Sequence, residues 1–143
     1  MTRNPRLTLP LVLLAWLLAQ CATPDQNAII SSWPDGTSKE VHRTMEDGRV
    51  EVQQFHANGQ IHIRGMLVDS VRQGTWNTYR ENGLPWSQVD YVEGEKDGLF
   101  RTWHDNGMPH IEGQHEGGQP AGIWHFFDVD GQTTETRDFS AAN

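Results

Sequence analysis

At 143 residues, 36% of them apolar, the chain has the length of one domain and little apolar surface for a deep core. A formal charge of −8, from 19 acidic and 11 basic side chains, argues against nucleic acid and anionic surfaces as partners and favours a basic one. The single cysteine, Cys21, excludes an intramolecular disulfide.

The chain opens with Arg3 and Arg6 and then an apolar run from Leu7 to Ala19. That is the length of a secretory h-region and too short for a spanning helix. The run ends in Leu18-Ala19-Gln20-Cys21, which resembles the bacterial lipobox. The resemblance implies cleavage after Gln20 and acylation of Cys21. Ala22 rather than Asp follows, which by resemblance to enterobacterial lipoproteins implies the outer membrane, facing the periplasm. Residues 1–20 are thus expected to be a cleaved signal peptide, 21–32 a lipid-anchored tether and 33–143 a repeat domain. Cleavage removes two of the 11 basic side chains, leaving nine against 19 acidic ones, a formal charge of −10. The lipid, not the protein surface, would then hold the chain to the membrane.

Within the tether, Ile29 and Ile30 open a candidate strand. Trp33-Pro34-Asp35-Gly36 reads as a degenerate first turn, with Gly36 just short of one full repeat before Gly59, as suits an atypical capping repeat. Met45-Glu46-Asp47-Gly48-Arg49 supplies another turn. From there a fixed period of about 24 residues governs the chain, in the range that marks repeat architectures. It carries the turn glycines Gly59, Gly83, Gly107 and Gly131, the column Phe55, Tyr79, Trp103 and Phe127, and the column Val52, Trp76, Phe100 and Trp124.

Each repeat divides into two strands about a turn such as Asn82-Gly83. Strands are expected at about 50–56, 60–67, 75–81, 84–92, 99–104, 108–115, 123–128 and 132–139. Asn-Gly between aromatic-rich runs predicts a two-residue type I′ hairpin. Counting outward then sets Tyr79 opposite Trp86, Phe55 opposite His62, Trp103 opposite His110 and Phe127 opposite Thr134. Further along, Gln53 meets Arg64, Arg101 meets Glu112, and Val52 and Phe100 cover Gly65 and Gly113. Trp76 and Tyr79 are three apart, so both faces carry aromatics or a bulge intervenes. Lys39 and Arg43 at one end, and Glu135, Arg137 and Asp138 at the other, are charges suited to guarding the terminal strands.

The pattern Gly-x-Trp-x-x-Tyr-x-x-Asn-Gly, seen in Gly74 to Gly83, resembles the variant MORN repeat, with copies over about residues 50–139 and an extra one near residue 33. The resemblance implies an all-β fold of antiparallel hairpins in one elongated, twisted sheet. It also implies an antitoxin-like or scaffolding role, and brings no catalytic residues.

The residues themselves offer little chemistry. His56 and His62 flank one turn and His104 and His110 another, but the counted register sets His56 opposite Ile61 and turns the members of each pair to opposite faces. No metal-binding spacing, nucleophile elbow or phosphate loop is present, so no metal, cofactor or enzymatic activity is expected. Phe55, Tyr79, Trp86, Trp103, His110 and Phe127 read either as core or as an exposed ridge for a protein partner. The expected function is an envelope lipoprotein that binds a protein. The expected partner is a basic toxin met in the periplasm, with a passive, self-associating scaffold as the alternative.

Overall fold

A computed structural model describes residues 27–140. The expected signal peptide and the lipidation residue Cys21 lie outside the described residues. Ten strands follow one another: β1 (Asn27–Ser32), β2 (Ser38–Thr44), β3 (Val50–Phe55), β4 (Ile61–Val68), β5 (Val71–Tyr79), β6 (Pro85–Val92), β7 (Glu95–Trp103), β8 (Pro109–Glu116), β9 (Gln119–Phe127) and β10 (Thr133–Asp138). They pair antiparallel in sequence order in a single open sheet of consecutive hairpins. Short turns enforce this order, because a parallel pairing needs a long crossover.

Two kinds of turn position the strands. At the Asn-Gly turns, Gly83 N–H donates to the Arg80 carbonyl at 2.9 Å and Arg80 N–H to the Leu84 carbonyl at 2.9 Å. Gly83 has φ +81°, whereas Asn82 is absent from the left-handed region. This is a type I turn closed by a left-handed glycine, not the expected type I′ turn. The Asn82 side chain selects it: Oδ1 accepts the Leu84 N–H at 3.1 Å, and the positive φ falls to glycine. The longer loop brings a bulge. Tyr79 pairs with Pro85 and Thr78 with Ser87, leaving Trp86 as the extra residue. Phe55 likewise pairs with Ile61, Trp103 with Pro109 and Phe127 with Thr133, so the four expected aromatic-position pairings are displaced. Beyond the bulge the counted register holds, with Gln53 opposite Arg64 and Arg101 opposite Glu112.

Three connections at the opposite edge do use two positive-φ residues: Asp69-Ser70, Glu93-Gly94 and Gly117-Gly118. These tight turns start β5, β7 and β9 at residues 71, 95 and 119, earlier than expected. A second bulge follows. Met66 pairs with Gln73 but Arg64 with Asn77, so Gly65 faces three residues of β5, among them Gly74 at φ +69°. The same bulge recurs opposite Asp90 and Gly113. Trp76 is the last of the three residues facing Gly65, and from Trp76 to Thr78 the pairing with β6 is regular. Trp76 and Tyr79 therefore point to opposite faces, and both faces carry aromatics.

The apolar row crosses one face through Val52, Gly65, Trp76, Val89, Phe100, Gly113 and Trp124, and its buried hydrophobics are Val52, Trp76, Val89 and Trp124. Tryptophan on the following strand lies over each glycine. A Cβ at Gly65 would sit 2.1 Å from the Trp76 ring, and one at Gly113 would sit 2.2 Å from the Trp124 ring. Val52 and Phe100 do pair with these glycines as counted, but the covering rings are Trp76 and Trp124. On the other face a polar row includes Arg64, whose Nε donates to buried Glu51 at 2.7 Å.

The N-terminal end departs from the expected division. Residues 27–32 of the expected tether form β1, and the turn at Trp33–Gly36 joins it to β2, with Gly36 N–H donating to the Trp33 carbonyl at 2.9 Å. Lys39 and Arg43 therefore lie on the second strand and do not guard the edge. Glu135, Arg137 and Asp138 do lie on a terminal strand, β10.

Candidate binding grooves along the turn edge

The glycine turns stack along one edge of the sheet, and the first side chain of each reaches the matching strand end of the next repeat. His56 Nε2–H donates to the Tyr79 carbonyl and His104 Nε2–H to the Phe127 carbonyl, both at 2.9 Å. Arg80 takes the same role between them, with Nη2 donating to the Trp103 carbonyl at 2.9 Å. Its Nη1 also pairs with Asp105 at 2.7 Å. Asn58 and Asn106 donate to the carbonyls of Glu81 and Val129 at 2.7 and 2.6 Å. Successive turns are thereby fastened to one another.

The bulges bring together what simple counting separates. The rings of His56 and His62 have centroids 4.4 Å apart, and those of His104 and His110 are 4.2 Å apart. The expectation that the members of each pair point to opposite faces is wrong. With Phe55 paired to Ile61, His62 becomes the extra residue and swings beside the turn. Burial, and then the neighbouring imidazole, holds the pKa of His62 and of His110 below the usual histidine value. Among the described residues, no three His, Cys, Asp or Glu side chains gather as a metal site.

Each histidine pair borders a groove. One, of about 470 Å³, is lined by Arg80, Trp86, Trp103, His104, Asp105 and His110, with Asn106 and Val129. Trp86 is 50% exposed, and the Arg80 guanidinium stands 5.8 Å from its ring centre. The other, of about 570 Å³, includes Trp33, Lys39, Phe55, His56, His62 and Glu81. There the Lys39 ammonium lies 4.7 Å from the Trp33 ring centre. Each groove thus combines aromatic walls with a cation, a carboxylate and two imidazoles, a mixed surface suited to a polypeptide.

Of the six candidate residues, Trp86, Trp103 and His110 meet in the first groove, and Phe55 lies in the second. Tyr79 lines a third hollow of about 450 Å³ with Ile61 and Arg64. Phe127 stands apart, 6.3 Å from His125 between ring centres. The candidates form separate hollows, not one continuous ridge. None is in the buried row, which belongs to the Val52 column. The contributions of Arg80, Asp105 and Lys39 were not foreseen. A further sequence signal pointed to the grooves: His56, Asn58, His62 and Gly65 recur two repeats later as His104, Asn106, His110 and Gly113.

No family model and no curated protein matches the chain. Among solved structures, the crystal structure of TarM is similar with a TM-score of 0.40 and 19% identity, covering 55% of this chain and 16% of that one. At that level the likeness carries no argument about fold or activity.

Proposed function

We propose that this chain is a non-enzymatic, lipid-anchored module of the bacterial envelope that binds and neutralises a basic protein toxin in the periplasm. The observation that carries the binding role is the groove in which Trp86, Trp103 and His110 converge beside Arg80 and Asp105. A half-exposed tryptophan among polar neighbours is the kind of anchor that interfaces concentrate. The net charge of −8 supports a basic partner. The repeat motif, in its resemblance to variant MORN proteins, supports a toxin-neutralising role, and the lipobox-like Leu18-Ala19-Gln20-Cys21 supports the anchor.

The test is a pull-down from envelope extracts with the wild-type chain and Trp86→Ala, followed by growth of cells exporting the recovered candidate. The expected result is a basic partner that Trp86→Ala loses and whose toxicity the wild-type chain relieves. Recovery of the chain alone, with no protection against any exported effector, rejects the immunity role and leaves a passive envelope scaffold.

A further inference from the structure

The two histidine grooves are two copies of one arrangement. Phe55, His56 and His62 occupy in one the repeat positions that Trp103, His104 and His110 occupy in the other. The same bulge turns His62 and His110 beside their turns, and the ring separations agree at 4.4 and 4.2 Å. One further pair is exchanged. Trp33 stands first in its turn with Lys39 after the turn glycine, where Arg80 stands first with Trp86 after the glycine. The cation still lies against the tryptophan in both, 4.7 and 5.8 Å from the ring centre. A cation–aromatic contact is therefore kept while its members trade places.

We propose that the two grooves are subsites for one extended, basic polypeptide segment that crosses the strands and sets an arginine side chain in each. This rests on the binding role given above to the groove of Trp86 and Trp103, and adds the second groove and the chemistry of the occupant. A planar guanidinium stacks on ring faces and pairs with a carboxylate, and each groove offers both. Asp105, its side chain 90% exposed, pairs through Oδ1 with Arg80 and leaves its other oxygen open. The exposed Glu81 carboxylate makes no ion pair among the described residues. Across the two linings, Arg80 and Lys39 face Asp105, Glu40 and Glu81, so negative charge is in excess.

The grooves adjoin at consecutive residues, Arg80 lining one and Glu81 the other. They lie at the same end of the β3–β4 and β7–β8 hairpins, four strands apart. That is about 19 Å along the sheet, and twist lengthens the path. An extended segment rises about 3.3 Å per residue and alternates its side chains. Two arginines face the sheet together and reach both grooves only when an even number of residues apart, roughly six or more.

The test titrates the full chain calorimetrically with synthetic Gly/Ser peptides carrying one arginine, or two at even separations from two to ten residues. The one-arginine peptide should bind weakly, two per chain. At separations of about six or more, binding should change to one peptide per chain and tighten at least about tenfold, because the second contact becomes intramolecular. His62→Ala and His110→Ala, one in each groove, should each return the longer peptide to one-arginine affinity. Val92→Ala, 46% exposed at the opposite edge of the sheet, should not. Affinity independent of separation, two peptides per chain at every separation, or an equal gain from two lysines overturns the proposal. The separation series uses the unaltered chain, so a histidine variant that fails to fold does not decide the outcome. Toxin capture is read separately: a toxin that Trp86→Ala releases, together with peptides indifferent to separation, rejects the paired subsites and keeps the binding role.

Discussion

At the scale of single residues, glycine positions divide into two physical classes. Gly65 and Gly113 have ordinary backbone angles, and the ring above them alone excludes a side chain. Alanine at either should cost roughly 1–3 kcal/mol, because a β-carbon about 2 Å from an indole forces the ring off its seat. Chemical denaturation of Gly113→Ala, Trp124→Leu and the double variant checks the cause: Gly113→Ala should cost less in the Trp124→Leu background than in the wild type. The histidines make a second prediction. His62, His110 and His115 all have lowered pKa values, first through burial; the second cause is a neighbouring imidazole for the first two and Lys96 for His115. Between the lowered folded value and the unfolded value of about 6.5, the unfolded chain binds more protons. Stability is therefore complete above that window and falls as pH drops through it. Thermal midpoints at about pH 7.5 and 5.5, on either side of the unfolded value, should show the decrease, and His62→Gln with His110→Gln should reduce it.

At the scale of elements, the two turn types explain where strands begin and where side chains converge. The glycine turns fasten to one another through His56, Arg80 and His104, so their side chains serve the stack as much as their own hairpin. The Asp69-Ser70 turn is the exposed weakness among the tight turns, since neither residue is glycine and both have positive φ, 51° and 67°. Ser70→Gly should stabilise the protein by roughly 1 kcal/mol by relieving a left-handed residue, an effect visible in the denaturation midpoint. The same substitution at Ser87, inside β6 opposite Thr78 and Thr102, should destabilise instead.

At the scale of the whole molecule, the described residues form a single layer, with no second sheet among them to bury the apolar row. The burial it achieves comes from neighbours in the same layer: Trp124 stacks on Phe100 at 5.2 Å, with His115 and Phe139 edge-on at 5.1 and 5.8 Å. Stability should accordingly be lowest at the ends and highest in the middle hairpins, and amide exchange should be slowest in β5–β8. The proposed anchor has its own test. Cys21→Ser should move the protein from the membrane to the soluble periplasmic fraction, and retention on the membrane would reject lipidation.

The sequence by itself determined the period, the antiparallel hairpins of residues 50–139 and the register within the body of each glycine-turn hairpin. These follow from local chemistry repeated in phase: turn glycines at Gly59, Gly83, Gly107 and Gly131, and alternation that admits one pairing. It did not determine the turn type, because Asn-Gly serves either a type I′ pair or a type I turn with a left-handed glycine. That choice, a matter of one residue, decides whether Tyr79 faces Trp86 or Pro85 and whether His56 meets His62. The grooves needed the tertiary structure for a further reason. Trp86 and His104, or Lys39 and His62, belong to different hairpins, and no pattern within one repeat states which neighbours share a hollow. The outermost strand was likewise decided only by pairing, since whether Lys39 guards an edge depends on whether Asn27–Ser32 adds one more strand outside it.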